Sequence, residues 1–167
     1  MPYAPGWYAK DRLLRINETM RTYARYWGES ILWFEYDAMS STKHDIYDEG
    51  PSRIWHPPTI LPVMFLDFRQ DDPMDAEEGF YVLSTASVCF SVTEANDRFR
   101  IGPLNTAAHF RDRFSYDNNV YRVTKYEKQG FVNGTYLTVS ALGEQVKNEE
   151  IVNDMQNQDF FVQTLVW

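Results

Sequence analysis

Apolar residues near the start of the chain recur every three or four positions: Leu13, Ile16, Met20, Tyr23 and Trp27. This spacing puts them on one face and predicts a helix over residues 11–27. Asp11 is suited to accept from the orphan N–H groups at the helix start. Gly28 is suited to end the helix in a left-handed conformation. From residue 29 the pattern changes. Residues 29–36 are bulky and strand-like, and residues 59–68 form an apolar run that reads as a strand buried on nearly both faces. Pro62 lacks an N–H, which places it at a sheet edge or a bulge. Over residues 80–92, Phe80, Val82, Ala86, Val88, Phe90 and Val92 alternate with Thr85, Ser87, Cys89 and Ser91. That is a long strand with one face on a core. Thr93 opens a short capped helix.

A three-strand meander follows, with strands at 114–116, 120–126 and 136–142. Its turns fall at Asp117-Asn118-Asn119 and over Gln129–Gly134, rich in residues that tolerate left-handed backbone. Short strands separated by turns predict a mainly β protein: a small antiparallel barrel or sandwich with an N-terminal amphipathic helix and an extended C-terminal tail. The expected division is an arm and helix over 1–28, a β-domain over 29–154 and a tail over 155–167.

Three segments resist periodic assignment. Residues 37–58 are polar and long for a connector, and such loops tend to be functional or disordered. Ile46, Tyr47, Ile54 and Trp55 within it call for burial against something. Residues 69–79 read as an acidic, solvated loop without the oxygen spacing of a calcium loop. Residues 100–112 have mixed polarity and no clear period. Beyond Val146 one helical turn is expected, then an uncharged β-prone end, Phe160 to Trp167. Such a segment is an aggregation hazard unless it pairs with its own sheet or a neighbour.

Charge adds an asymmetry. The chain carries 16 basic and 24 acidic side chains, a net of -8. Residues 1–28 hold five basic residues against two acidic, so the remainder holds 11 against 22. A cationic arm on an anionic body invites contact, with either a neighbouring subunit or its own body. Arg12, Arg15, Arg21 and Arg25 are the candidate arm contacts. The net charge argues against a surface built to grip phosphates. One cysteine, Cys89, excludes an intrachain disulfide and reads as a buried thiol. No leader peptide and no membrane span are read, so a soluble, reducing setting is expected.

Little in the sequence suggests catalysis. His44, His56 and His109 are not in metal-ligand spacing, and no metal or cofactor is expected. Ser40 or Ser41 with His44 and Asp45 would be hydrolase parts, but all lie in one polar loop with no nucleophile elbow.

Two stretches go further. The first runs Tyr36-Asp37-Ala-Met-Ser40-Ser41-Thr42-Lys43-His44-Asp45-Ile46-Tyr47-Asp48-Glu49-Gly50, then Arg53-Ile-Trp55-His-Pro57-Pro58 and Leu61-Pro62-Val63. The second comprises Asp112-Arg113-Phe114-Ser-Tyr116-Asp117, Val120-Tyr121-Arg122-Val123, the Gln129-Gly130 turn and Glu149-Glu150-Ile-Val152-Asn153-Asp154. Together they resemble the head-to-tail stopper (head-closure) proteins of long-tailed phages that infect actinobacteria. The resemblance covers roughly residues 29–154.

It implies a non-enzymatic barrel subunit of a ring of six or twelve copies in the virion neck, assembled in the host cytoplasm. Portal and adaptor would lie on the head side and the tail terminator on the other. Packaged double-stranded DNA would pass through without sequence-specific binding, and no cofactor or membrane is involved. Ser40, Ser41, Thr42, Lys43, His44, Asp45, Tyr47, Asp48, Glu49, Arg53 and Trp55 would form a channel-facing or interface loop. Besides the four arginines, Phe160, Phe161, Val162, Leu165 and Trp167 are the expected partner contacts. A tail terminator ring protein, or a small hydrolase, is the alternative.

Overall fold

The computed structural model describes residues 5–41, 53–70, 74–76, 79–81 and 84–146. Helix α1 spans Pro5–Tyr26. The strands are β1 (Glu29–Phe34), β2 (Thr59–Val63), β3 (Phe65–Gln70), β4 (Met74–Ala76), β5 (Gly79–Tyr81), β6 (Ser84–Ser91), β7 (Arg113–Tyr116), β8 (Asn119–Val132) and β9 (Thr135–Gln145). Between β6 and β7 lie a short helix, α2 (Val92–Asn96), and a 3-10 helix at Thr106–Arg111. The protein is mainly β, as the alternating pattern predicts.

Seven strands form one antiparallel sheet in the order β2-β1-β7-β8-β9-β6-β3. Its two edge strands are neighbours in the chain, separated only by Met64. A flat sheet of seven strands would hold those edges roughly 29 Å apart at about 4.8 Å per strand. One residue cannot bridge that span, so the sheet curls enough to bring the end of β2 and the start of β3 together at a corner. The Met64 N–H donates to the Cys89 carbonyl at 2.8 Å, fixing the corner. Phe68 on β3 packs on Tyr116 of β7, with ring centroids 5.2 Å apart, across the inside of the curl. The expected single strand over 59–68 is therefore bent: its first half pairs with β1 and its second with β6. Pro62 sits on the edge strand β2, where no N–H is missed.

The inner face follows period two. Ile31 and Trp33 come from β1, Leu61 and Val63 from β2, Ala86, Val88 and Phe90 from β6, and Val139 and Ala141 from β9. On β8, Tyr121 and Val123 face inward, but so does Tyr126, which breaks the parity. The pairing of β8 with β9 shifts register between Val123 and Lys125. That bulge absorbs one residue and returns the strand to the core with the opposite parity. Trp33 is the hub. Its ring stacks on Phe99 and Phe114 and meets Phe90 and Tyr126 edge-on.

The meander β7-β8-β9 is present, with tighter turns than expected. Asp117 and Asn118 take positive φ in the first turn, and Asn133 and Gly134 in the second. Gly130 also has positive φ but lies within β8, so the second turn is Asn133–Gly134 alone. The acidic segment 69–79 is partly a hairpin, with Met74–Ala76 pairing with Gly79–Tyr81. Ser91 caps α2, its side chain accepting from the Thr93 N–H. Cys89 is half-buried on the outer face, and burial raises its thiol above the ordinary range against a smaller opposing hydrogen bond from Thr138.

Helix α1 departs from expectation in two ways. Leu13, Ile16 and Met20 are half-buried and Ala24 is buried, but Tyr23, Tyr26 and Trp27 are exposed, the last at 80%. At its C-terminal end the helix meets the body through Arg21, Ala24 and Arg25, and the aromatic flank faces outward. Gly28 does not adopt positive φ. Its role is close approach, since a Cβ there would lie 2.0 Å from the Val63 carbonyl oxygen.

Candidate functional site

Among the described residues, the flanks of the polar segment between β1 and β2, residues 35–41 and 53–56, form a well-ordered irregular unit. Its two ends are pinned together. Tyr36 and Trp55 form an antiparallel bridge beyond β1. The Asp37 N–H donates to the Ile54 carbonyl at 2.9 Å, and the His56 N–H donates to the Glu35 carbonyl at 2.8 Å. Ser41 completes the closure: its Oγ donates to the Asp37 carbonyl at 2.6 Å and accepts from the Ile54 N–H at 3.0 Å. Asp37 organises the turn between them. Its carboxylate accepts from the Met39 and Ser40 backbone N–H groups. Hydrogen bonding from Ser40, side chain then backbone, holds the Asp37 carboxyl below the usual range. Residues 42–52 thus leave from and return to a single closed base.

The base is bolted to a stretch more than fifty residues further along the chain. Asp112 is buried and its carboxylate accepts three bonds: from Trp33 Nε1 at 2.9 Å, from the Tyr36 N–H at 2.8 Å and from His109 Nδ1 at 2.6 Å. Trp55 is buried, and its Nε1 donates to the Arg111 carbonyl at 3.1 Å. The fully buried Arg113 guanidinium lies 3.9 Å from the Trp55 ring centroid, and Arg111 lies 5.5 Å from that of Tyr36. Such cation–π contacts are each worth about 0.5–2 kcal/mol, more when desolvated. Tyr36 and Trp55 from one quoted stretch and Asp112 and Arg113 from the other therefore meet in one physical unit.

His109 extends the unit inward. It stacks on Tyr126, with centroids 5.0 Å apart, and its Nε2 faces the Gly102 carbonyl at 3.3 Å. Tyr126 donates its hydroxyl to the Pro103 carbonyl at 2.7 Å. Burial first, then the Asp112 and Glu35 carboxylates, hold that phenol protonated well above its ordinary range. The buried Glu35 carboxylate accepts from the Arg100 and Ile101 N–H groups, which fixes the otherwise unpatterned segment near residue 100.

A second cluster fastens α1 to the body. Glu94 on α2 is fully buried and pairs with Arg21 at 3.0 Å, Arg25 at 2.8 Å and Arg98 at 3.2 Å. Burial pushes its carboxyl up, but the three guanidiniums more than offset that, so it sits below the usual range. Arg21 also reaches Asp97 at 2.9 Å.

The sequence-predicted residues divide accordingly. Ser41 and Trp55 are buried in the base, Ser40 is exposed beside it, and Arg53 is half-buried. Thr42, Lys43, His44, Asp45, Tyr47, Asp48 and Glu49 lie outside the described residues, as do Phe160, Phe161, Val162, Leu165 and Trp167. Arg21 and Arg25 bind their own body through Glu94. Arg12 and Arg15 are exposed, and Arg15 pairs with Asp11 one turn away. The Ser41 hydroxyl is committed on both sides to closing the loop, which leaves it no proton to give up as a nucleophile without opening the base. Glu35, Glu94, His109 and Asp112 carry the architecture, though none is among the sequence-predicted site residues. Only the i, i+3 spacing of His109 and Asp112 hinted at a pair.

No protein-family model and no curated protein matches the chain. Among the described residues, no helix is long and apolar enough to cross a membrane.

Proposed function

We propose that this chain is a structural subunit of the ring that closes a phage head and receives its tail, the stopper position of a virion neck. The observation that carries this reading is the closed loop base. A structural ring subunit needs a rigid body that presents a segment to a channel or a neighbour without folding that segment into its core. Here Asp112 and Arg113, from one resembled stretch, clamp Tyr36 and Trp55 from the other, and Ser41 ties the ends. Residues 42–52, which follow one pinned end and precede the other, carry Lys43 against Asp45, Asp48 and Glu49. An acidic loop repels a phosphate backbone and lets DNA slide past.

In this reading the loops of six or twelve copies converge on the channel and help retain packaged DNA. The head side faces adaptor and portal, and the tail side faces the terminator. The chain works without a cofactor or a chemical step. A low-resolution map of the intact neck, with this chain located by a fused tag, tests the assignment. Density for the tag in a ring between adaptor and tail supports it. Density in the tail tube or the capsid shell overturns it.

A further inference from the structure

An apolar groove of about 760 Å³ runs over the outer face of β1, β2 and the β7–β8 turn. Leu32, Pro58 and Ile60 form its apolar floor, with Ser30 and Ser115 beside them and Asp117 and Asn118 at one rim, while Ile31 and Tyr116 border it from the core side of the sheet. Ile60 is 59% exposed there. Leu32 pairs with Ile60 on one side and Ser115 on the other, so the three stand in a row across adjacent strands. A groove of this size is ample for several large side chains.

We propose that the groove is the seat of this chain's own apolar segment, residues 160–167. The first reason is where the described chain ends. The Val146 N–H donates to the Val120 carbonyl at 2.8 Å, and Gln145 Nε2 donates to Asn119 Oδ1 at 3.0 Å. Both anchors adjoin the Asp117–Asn118 rim, so whatever follows Val146 starts beside the groove. The second reason is reach. Residues 147–159 extend to at most about 43 Å, several times the roughly 10–15 Å across three neighbouring strands. The third reason is chemical match. Residues 160–167 include Phe160, Phe161, Leu165 and Trp167 and carry no charged side chain. The apolar floor would penalise a charged occupant, because burying an unpaired charge is costly.

The mode is side-chain docking into the groove, not strand addition to β2. The free edge of β2 is blunted: the Ile60 carbonyl already accepts from Arg98 Nη1 at 2.9 Å, and Pro62 has no N–H. Seating the segment in its own subunit shields an aggregation-prone stretch before assembly. The proposal concerns the isolated chain, so it stands or falls independently of the neck assignment.

Methyl-labelled full-length protein, compared by NMR with a chain ending at Asp159, tests this. Truncation is expected to shift the Ile60 and Leu32 methyl signals and the Ser115–Asn118 amides while leaving Val88 and Val139 unmoved. In the full chain, cross-peaks should link the Ile60 methyls to aromatic protons of Phe160, Phe161 or Trp167 at every concentration. Ile60→Asp, at an exposed position, should release the segment and reproduce the truncation pattern at Leu32. Groove signals indifferent to truncation would overturn the proposal. Shifts that grow with concentration alongside a dimer in sedimentation would overturn it too, by giving the groove to a second copy.

Discussion

Trp33 Nε1 donates to the Asp112 carboxylate at 2.9 Å, joining the hub of the aromatic core to the residue that holds the loop base. The other Asp112 oxygen accepts from the Tyr36 N–H. One carboxylate therefore couples core packing to loop presentation. Asp112→Asn keeps the shape but turns one acceptor into a donor facing N–H groups. A loss of about 3 kcal/mol is expected, near the lower end for breaking a buried, hydrogen-bonded charge. Trp33→Phe keeps the ring contacts and removes only the N–H, so it should cost less. In a double-mutant cycle by urea denaturation, Trp33→Phe should cost less in the Asp112→Asn background than in the wild type. Strict additivity would show that the two residues are not coupled.

Ser41→Ala removes an acceptor from the Ile54 N–H and a donor to the Asp37 carbonyl. The local cost is about 1–2 kcal/mol, with global stability nearly unchanged. Hydrogen exchange is the direct readout, and the Ile54 amide should exchange roughly tenfold faster while the core amide of Val139 keeps its rate. An unchanged Ile54 rate would mean that Ser41 does not close the loop.

Glu94 makes the docking of α1 depend on pH. Its folded carboxyl is held below the unfolded value, so its contribution is fully present above an unfolded pKa of about 4.3. That contribution is lost as pH falls through the lower folded value. Glu94→Gln is expected to cost about 2 kcal/mol at neutral pH, below the range for fully buried pairs because the arginines keep contact with water. The gap between the variant and the wild type should narrow below about pH 4. Thermal melts from pH 3 to 7 measure it, and a constant gap would contradict the assigned role.

Gly28→Ala places a methyl group 2.0 Å from the Val63 carbonyl oxygen and 2.6 Å from that of Ala24. Backbone on both sides leaves little room to yield, so a loss of about 1–3 kcal/mol is expected. Gly102→Ala meets nothing within 4 Å and serves as the control, expected to stay within about 0.5 kcal/mol. Urea midpoints for the two variants separate the effect of contact from that of glycine replacement itself.

Much of the fold is legible in alternation. Ala86, Val88 and Phe90 face the core as their period-two spacing requires, and the Asn133–Gly134 turn follows from residues that accept positive φ. The bent strand at Met64 and the bulge near Thr124 were not legible, because both depend on closing the curl, a tertiary requirement that leaves no local signal. Helix α1 misled for a related reason. Its stripe at Met20, Tyr23 and Trp27 predicts one apolar face, but a buried carboxylate at Glu94 draws Arg21 and Arg25 inward and leaves the aromatics outside. The loop base was half legible. Trp55 called for burial, but its partners Arg111 and Arg113 lie more than fifty residues away, where no periodicity could point to them.

The proposed role is that of a ring subunit that closes a phage head and receives its tail. Electron microscopy of particles made by the encoding phage without this chain tests it most directly. In the proposed role, loss of the chain leaves tailless heads that have lost their DNA beside free, complete tails. Normal tailed virions with filled heads would contradict it.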